Sequence, residues 1–341
     1  MSLTPDMSHY TEVLPDGLHR LRLTSPSGLT VNAWLVRAPS GWLLVDTGFT
    51  YTTGALIEQL AALGLTLDDI DAAIYTHTHE DHMGGGVVLD QQLSRRHVIA
   101  AGTEPAQTNY FDWYDNLESW VGWMERTLPE SPIRDVIIQF RRGRTIAPWR
   151  TGGTGLLTDP RWVQPGDTVQ LSGFTWTCIP VPGHDPWHVA WYLHELQWLF
   201  VGDVLLGSPT PLVPPHLDQL GPYHESLFRL AALSLPVDLV LPGHGRAFTR
   251  LEQGVRDSIA HVDRVQLAIH RGWQDAAVLN PGLVAASLLN PERPDLRRGY
   301  VWLFNVFAQF DHWHRRGEVV LTDDLHWAKT ASTPAYAPRT P

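Results

Sequence analysis

The strongest constraint on the fold is a repeated pattern in which an apolar run ends in a histidine or an aspartate. Five runs do so, and their terminal residues are Asp46, His77, His184, Asp203 and His244. Short apolar runs bounded by turn residues indicate buried strands. In layered α/β folds, functional side chains gather where strands end. The pattern therefore predicts a layered α/β protein with one polar site at a sheet edge.

The second run leads into IYTHTHEDHMGGG (74–86), which places three histidines and one aspartate within six positions. An ordinary polar loop is one interpretation of this segment, and a metal site is the other. Imidazole and carboxylate groups are ligands for zinc, iron or manganese. Three imidazoles plus a bridging carboxylate would complete one metal site. The same bridging carboxylate, together with another carboxylate and two imidazoles, would complete a second metal site. Such a pair, about 3.5–4 Å apart, can lower the pKa of bound water to about 7.

The remaining pattern predicts strands and helices in both halves of the chain. Including the five runs above, strands are expected at 17–23, 29–36, 41–46, 70–75, 97–102, 167–173, 174–181, 189–195, 198–206, 237–243 and 318–324. Helical periodicity predicts helices at 53–63, 224–235, 252–271, 281–289 and 298–315, and another that starts near Gly84. This order favours a layered α/β sandwich followed by a helical extension.

The five segments together resemble those of the metallo-β-lactamase-fold hydrolases, over about residues 12–250. The resemblance implies a four-layer αββα sandwich. It also implies a first metal ion bound by His77, His79 and His184, and a second bound by Asp81, His82 and His244. Asp203 would bridge the two ions. Asp46, in VDTG, resembles the aspartate that steadies the site without binding metal.

Four other polar residues near these segments have weaker interpretations. His188 could support a ligand or contact substrate, but we expect a loop histidine. His194 should lie in a hairpin turn, and Asp185 could adjust the charge near the site. Arg246 could meet an anionic substrate group, although a surface arginine is the simpler expectation.

The segment 103–155 is rich in tryptophan. Trp113, Trp120 and Trp123 share one helical face by their spacing. A helix docked on the core and a lid over a pocket are both consistent with this pattern. We place the segment as an insertion within a main domain that spans residues 1–250.

The C-terminal part, 251–325, is predicted to be helical and to end in HWHRRGEVVLTDD. It resembles the winged-helix-like appendage of β-lactamase-like-protein-2 type hydrolases. The composition of the tail, 326–341, is typical of disorder.

Composition narrows the partners and the compartment. The formal charge of −11 disfavours nucleic acid as a partner. Cys178 is the only cysteine, which excludes an intrachain disulfide and a Cys-pair zinc site, and we expect it to be buried. The chain shows no signal peptide and no run of about 18 apolar residues, so we expect a cytoplasmic protein with no membrane contact. The sequence does not decide whether the protein forms a homo-oligomer.

Our leading hypothesis is an enzyme, a dinuclear hydrolase whose metal-bridging hydroxide attacks an ester, thioester or lactone carbonyl of a small acyl substrate. Asp81 would help a proton reach the leaving group. We expect two divalent ions, with zinc favoured and iron or manganese as alternatives. The resemblance speaks against antibiotic hydrolysis, because true β-lactamases generally lack the bridging aspartate. A metal-dependent nuclease or phosphodiesterase acting on single-stranded nucleic acid or another phosphodiester is the second hypothesis. A metal-containing binding module without turnover is the third.

Overall fold

The computed structural model describes residues 11–25, 28–93, 96–102, 157–206, 211–214, 218–289, 296–323 and 326–338. The predicted tryptophan-rich insertion, 103–155, lies outside the described residues.

The first sheet has seven strands that follow one another in chain order. They are β1 (Thr11–Val13), β2 (Leu18–Thr24), β3 (Thr30–Arg37), β4 (Trp42–Val45), β5 (Ile70–Ile74), β6 (His97–Ala100) and β7 (Arg161–Val163). Strands β1 to β4 pair antiparallel, and β4 to β7 pair parallel. The carboxyl ends of β4 and β5 therefore lie at the same edge.

The second sheet has five strands in the order β12-β11-β10-β9-β8. Their bounds are β8 (Thr168–Leu171), β9 (Phe174–Pro180), β10 (Val189–Leu193), β11 (Trp198–Gly202) and β12 (Leu239–Pro242). All residues of β10 and β11 are buried, which explains their nearly continuous apolar sequences. The pair β11–β12 is parallel, so these two strands also end at one edge.

Six α-helices occur in the described residues. They are α1 (Thr53–Ala62), α2 (Glu80–Val88), α3 (Leu220–Ala231), α4 (Leu251–Asp275), α5 (Pro281–Ser287) and α6 (Leu296–His314). One apolar core fills the space between the sheets, where Trp34 and Val45 meet Trp191 and Phe200. Helices α1 and α2 cover the outer face of the first sheet, and α3 and α4 that of the second. This arrangement confirms the predicted αββα sandwich.

Two helices begin four residues earlier than the sequence predicted. Helix α2 begins at Glu80, not near Gly84, because Glu80 and Asp81 can occupy its first turn, where acidic side chains interact favourably with the helix dipole. Helix α3 begins at Leu220, not at residue 224. Pro222 is tolerated there because the first turn does not need its missing N–H.

The C-terminal helices enclose a core of their own. A small sheet of β13 (Val278–Leu279), β15 (Trp327–Lys329) and β14 (Val319–Leu321) packs with α4, α5 and α6 around Trp273, Phe310 and Trp313. We call this apolar set the C-terminal cluster. The element order is helix, strand, two helices and two strands. The domain boundaries and the winged-helix appendage stay predictions.

The prediction that residues 326–341 are disordered is wrong for the part that the structure describes. Trp327, in β15, is buried, and its ring stacks on Phe310 with 5.2 Å between the centroids. Farther along, Thr330 and Thr333 both donate hydrogen bonds to the carbonyl of Glu318. The tail has a composition that is typical of disorder, but one tryptophan inserted in the C-terminal cluster anchors it.

The described helices contain no stretch that is both long and apolar enough to cross a bilayer.

Candidate metal centre

The structure brings the predicted site residues together at one edge of the sandwich. They are Asp46, His77, His79, Asp81, His82, His184, Asp203 and His244. Each follows a strand or lies in the first turn of α2. The parallel pairs β4–β5 and β11–β12 explain the convergence, because the carboxyl ends of parallel neighbours share an edge.

The ligand-type atoms form overlapping groups of three. Within each group, one atom from every residue lies within 4.8 Å of the others. The groups are His77–His79–His184, His77–His82–Asp203 and Asp81–His82–His244. The first and third groups correspond to the two ligand sets that the family resemblance implied.

Asp203 lies between these two sets. Its Oδ2 is 3.2 Å from His244 Nε2 and 3.6 Å from His184 Nε2. Its Oδ1 is 3.5 Å from His82 Nε2. One carboxylate therefore faces both sets, which is the position that a bridging ligand requires.

Asp81 lies at the outer side of the third group. Its Oδ2 is 3.2 Å from His244 Nε2 and 3.6 Å from His82 Nε2. The Asp81 side chain is 17% exposed, so a substrate group arriving from solvent could reach it.

Two histidines are oriented by side chains of neighbouring strand ends. His82 Nδ1 is 2.8 Å from Asp46 Oδ2, and His77 Nδ1 is 3.0 Å from Thr76 Oγ1. These contacts leave Nε2 of both rings directed at the site. A partner on the far nitrogen fixes the tautomer and orientation of a metal-binding imidazole.

Backbone carbonyls orient two more histidines. His184 Nδ1 donates to Leu212 O at 2.6 Å, and His244 Nδ1 donates to Thr30 O at 2.6 Å. His79 has the opposite orientation, with Nδ1 2.9 Å from His184 Nε2 and Nε2 3.5 Å from Asp185 Oδ2.

The residues present fit divalent metal ions. Within the described part of the chain, His77 Nε2 is buried and has no hydrogen-bond partner, as expected of an atom shaped to bind a cation. Burial, reinforced by neighbouring imidazoles, holds the pKa of His77 well below its ordinary value. Burial, together with the neighbouring imidazole of His184, also lowers the pKa of His79 well below its ordinary value. Both rings are therefore neutral at pH 7, which is the form that binds metal.

The other side of the site is electronegative. Burial lowers the pKa of His244, but the carboxylates of Asp203 and Asp81 outweigh it and raise that pKa to about 10. The same carboxylates, with Asp46, raise the pKa of His82 well above its usual value despite burial. The carboxylates thus attract positive charge strongly, and a divalent cation would supply it.

Asp46 supports the site without facing its centre. It is buried and adopts a positive φ of 61°, which is uncommon outside glycine but better tolerated by aspartate and asparagine. Its Oδ1 accepts a hydrogen bond from Thr76 N at 2.9 Å, while Oδ2 contacts His82. This geometry agrees with the steadying role that the resemblance implied. The role of Asp46 in the site stays a prediction.

His188 lies in the loop between β9 and β10, as expected, but it contacts the site and not solvent. It is buried, its Nε2 accepts a hydrogen bond from Asp203 N at 2.9 Å, and its ring stacks on His77 at 4.5 Å. Its position directly before β10 was the one available signal, but the partners come from distant segments. His188 therefore holds the backbone of Asp203.

Asp185 lies beside the site, with Oδ2 3.5 Å from His79 Nε2. It is buried, and burial raises the pKa of its carboxyl to about 7, although Trp187 N donates to it at 2.8 Å. Three expectations agree with the structure. Cys178 is fully buried, His194 lies in the β10–β11 connection, and Arg246 is exposed.

The glycines after the motif allow α2 to lie against the strand ends. A Cβ atom on Gly84 would be 2.7 Å from Thr50 N, one on Gly85 would collide with Thr47 O, and one on Gly86 with the hydroxyl of Tyr75. Close approach, and not a tight turn, is therefore the reason for glycine here.

Comparisons with known proteins agree with this geometry. The hydroxyacylglutathione hydrolase of Aeromonas salmonicida is 26% identical over 212 residues, which are 62% of this chain and 60% of that protein. This chain thus spans less than two thirds of that relative. The acyl-coenzyme A thioesterase MBLAC2 of Gallus gallus is 29% identical over 231 residues, 65% of this chain and 75% of that protein. The beta-lactamase-like protein 2 homolog of Caenorhabditis elegans is 24% identical over 263 residues, which are 75% of this chain and 72% of that protein.

A solved structure and a family model complete the comparison. A metallo-beta-lactamase family protein from Thermus thermophilus superposes with a TM-score of 0.69 at 22% identity, over 94% of this chain and 100% of that one. At this identity the likeness concerns the fold alone. The sequence model of the Metallo-beta-lactamase superfamily matches residues 26–244, which include all eight site residues. The chain therefore belongs to the metallo-β-lactamase superfamily.

Proposed function

We propose that this protein is a metal-dependent hydrolase that uses two divalent ions to cleave an ester, thioester or lactone. The position of Asp203 between the two ligand sets supports this proposal most directly. His77, His79 and His184 would hold one ion, and Asp81, His82 and His244 the other. When bound, such a pair generates a nucleophile from water at neutral pH and polarises a carbonyl oxygen.

The surrounding residues would keep this site in one geometry. Asp46 holds the proton of His82 on Nδ1, so that Nε2 stays free to bind metal. His188 fixes the backbone of Asp203. Asp81, at the exposed side of the site, is the residue that we assign to proton transfer toward the leaving group.

The names of two relatives favour a thioester among the three substrate classes. One is called an acyl-coenzyme A thioesterase, and the other a hydroxyacylglutathione hydrolase. The ions themselves are not distinguished by the ligands, since imidazole and carboxylate bind zinc, iron and manganese. We favour zinc.

Burial of α6 weakens the nuclease alternative. In helix-turn-helix proteins a recognition helix must expose one face in order to enter a groove. Residues Trp302 to Trp313 of α6 are all buried here. Together with the charge of −11, this favours a small acyl substrate.

A substrate panel tests the proposal. Acyl-coenzyme A and acylglutathione thioesters and lactones would be compared with bis-nitrophenyl phosphate and single-stranded RNA. We expect metal-dependent hydrolysis of at least one acyl substrate. Turnover of the phosphodiesters alone would instead support the second hypothesis.

A further inference from the structure

One hydrogen bond connects the first ligand set to the C-terminal helices. His184 Nδ1 donates to the carbonyl of Leu212 at 2.6 Å. The side chain of Leu212 packs against the C-terminal cluster of α4 to α6. A single residue thus contacts a candidate metal ligand through its backbone and the C-terminal core through its side chain.

Asn305, on α6, holds both sides of Leu212. Its Oδ1 accepts a hydrogen bond from Val213 N at 2.9 Å, and its Nδ2 donates to Pro211 O at 3.3 Å. The partners fix the amide orientation, because an N–H can only donate and a carbonyl can only accept. Asn305 is itself buried, so water is a poor replacement for either bond.

A third contact fixes the amide from α4. Asn305 Nδ2 also lies 3.1 Å from His261 Nε2, and the His261 ring stacks flat on Trp302 with 3.9 Å between the centroids. Burial, followed by the nearby Arg264, lowers the pKa of His261 to about 3. The ring is therefore neutral at pH 7, and Nε2 can accept the hydrogen bond.

We propose that Asn305 is a positioning residue for the metal centre. Its amide fixes Pro211 and Val213, these fix the Leu212 carbonyl, and that carbonyl orients His184. The inference rests on the proposed function, because it requires His184 to bind metal. It assigns to the C-terminal helices a role in holding one of the two ions. Such a role goes beyond the burial of an apolar core.

The test is zinc affinity, measured on the full-length chain by competition with a chromophoric chelator. The variants are Asn305→Ala and the control Gln309→Ala. Gln309 lies one turn farther along α6, is also buried, and accepts a hydrogen bond from Gln266 of α4. Truncation of Gln309 therefore perturbs the same helix but leaves the contacts to residues 211–213 intact. We expect Asn305→Ala to raise the dissociation constant of one zinc ion by about tenfold, as loss of an outer-shell partner does. Gln309→Ala should leave both ions at wild-type affinity.

Several results would overturn the inference. One is wild-type zinc affinity in Asn305→Ala, and another is an equal loss in both variants, which would indicate general destabilisation. If Asn305→Ala does not fold, Asn305→Asp replaces it. That variant keeps the acceptor for Val213 N and loses the donor to Pro211 O. It must also weaken the binding of one zinc ion. Failure of the wild-type chain to bind zinc, manganese and iron alike would instead reject the proposed function, and this inference with it.

Discussion

Four of the five histidines of the metal centre have a partner on Nδ1, the nitrogen that faces away from the site. The partners differ in chemistry: a carboxylate for His82, a hydroxyl for His77, and backbone carbonyls for His184 and His244. All four leave Nε2 directed inward. The geometry is thus set by groups that would not themselves touch a metal ion.

Asp46→Asn tests this support at one atom. Asparagine also tolerates a positive φ, so the backbone should be retained. The new amide places a donor opposite His82 Nδ1, which drives the imidazole proton to Nε2 and blocks metal binding there. We expect metal affinity to fall by about 10–100-fold in a chelator competition. Unchanged affinity would show that Asp46 does not set the tautomer of His82.

Asp203→Asn tests the bridging position. An amide offers one oxygen where the carboxylate offers two, so it cannot serve both ligand sets equally. We expect hydrolytic activity to fall by at least about 100-fold, the upper end of the loss from an outer-shell partner. Asp257→Asn, the same change on the exposed side of α4, is the control and should keep wild-type activity. Equal activity in the two variants would remove Asp203 from the mechanism.

The sequence predicted the residues that face the centre, because their types and spacing are visible in THTHEDH and at the strand ends. It could not predict all of their partners. Thr30 and Leu212 contribute backbone carbonyls, which carry no side-chain signature. His188 acts through a distant backbone N–H and a distant ring, so its role depends on packing.

Among the elements, α2 lies under the tightest steric constraint. Its glycines let it approach the segments that follow β4 and β5, and Gly86 N donates to Thr47 Oγ1 at 2.8 Å. The helix thereby carries Asp81 and His82 to the site. Its early start could not be read from periodicity, because the first turn consists of polar site residues.

Gly86→Ala should therefore destabilise the protein. The added methyl group would overlap the Tyr75 hydroxyl, which is itself bonded to His97 Nδ1 at 2.8 Å. Overpacking of this kind costs about 1–3 kcal/mol in the free energy of unfolding, measurable by urea denaturation. Gly54→Ala in α1 is the control, since no atom lies within 4 Å of its Cβ position, and it should be neutral or slightly stabilising. Equal unfolding free energies in the two variants would contradict the close approach.

At the scale of the whole molecule, the C-terminal helices are joined to the sandwich by buried contacts. The N-terminal half of helix α4, through Val255 and Ile259, packs on the second sheet, and its C-terminal half, through Ile269 and Trp273, packs in the C-terminal cluster. The order of strands and helices predicted a layered α/β sandwich, because central strands such as β10 and β11 are buried and therefore apolar. The four-layer αββα order was implied by the family resemblance. Strand β15 was missed because the tail is polar apart from a few aromatic residues.

Trp327→Ala tests whether the tail belongs to the folded molecule. Because Trp327 is buried on Phe310, its truncation should lower the free energy of unfolding by about 3–5 kcal/mol. Trp162→Ala, at a tryptophan that is 39% exposed in β7, is the control and should cost much less. An effect of Trp327→Ala below about 0.5 kcal/mol, the usual range for surface positions, would indicate that the tail is disordered, as its composition predicts.

We propose that seven side chains hold two metal ions and that Asp203 is shared between them. Elemental analysis of protein purified without chelators measures the number of ions, when wild type is compared with Asp203→Asn. We expect about two divalent ions per wild-type chain and a clear loss in the variant. A wild-type chain that holds at most one ion after incubation with zinc, manganese or iron, or a variant that keeps the full complement, would contradict it.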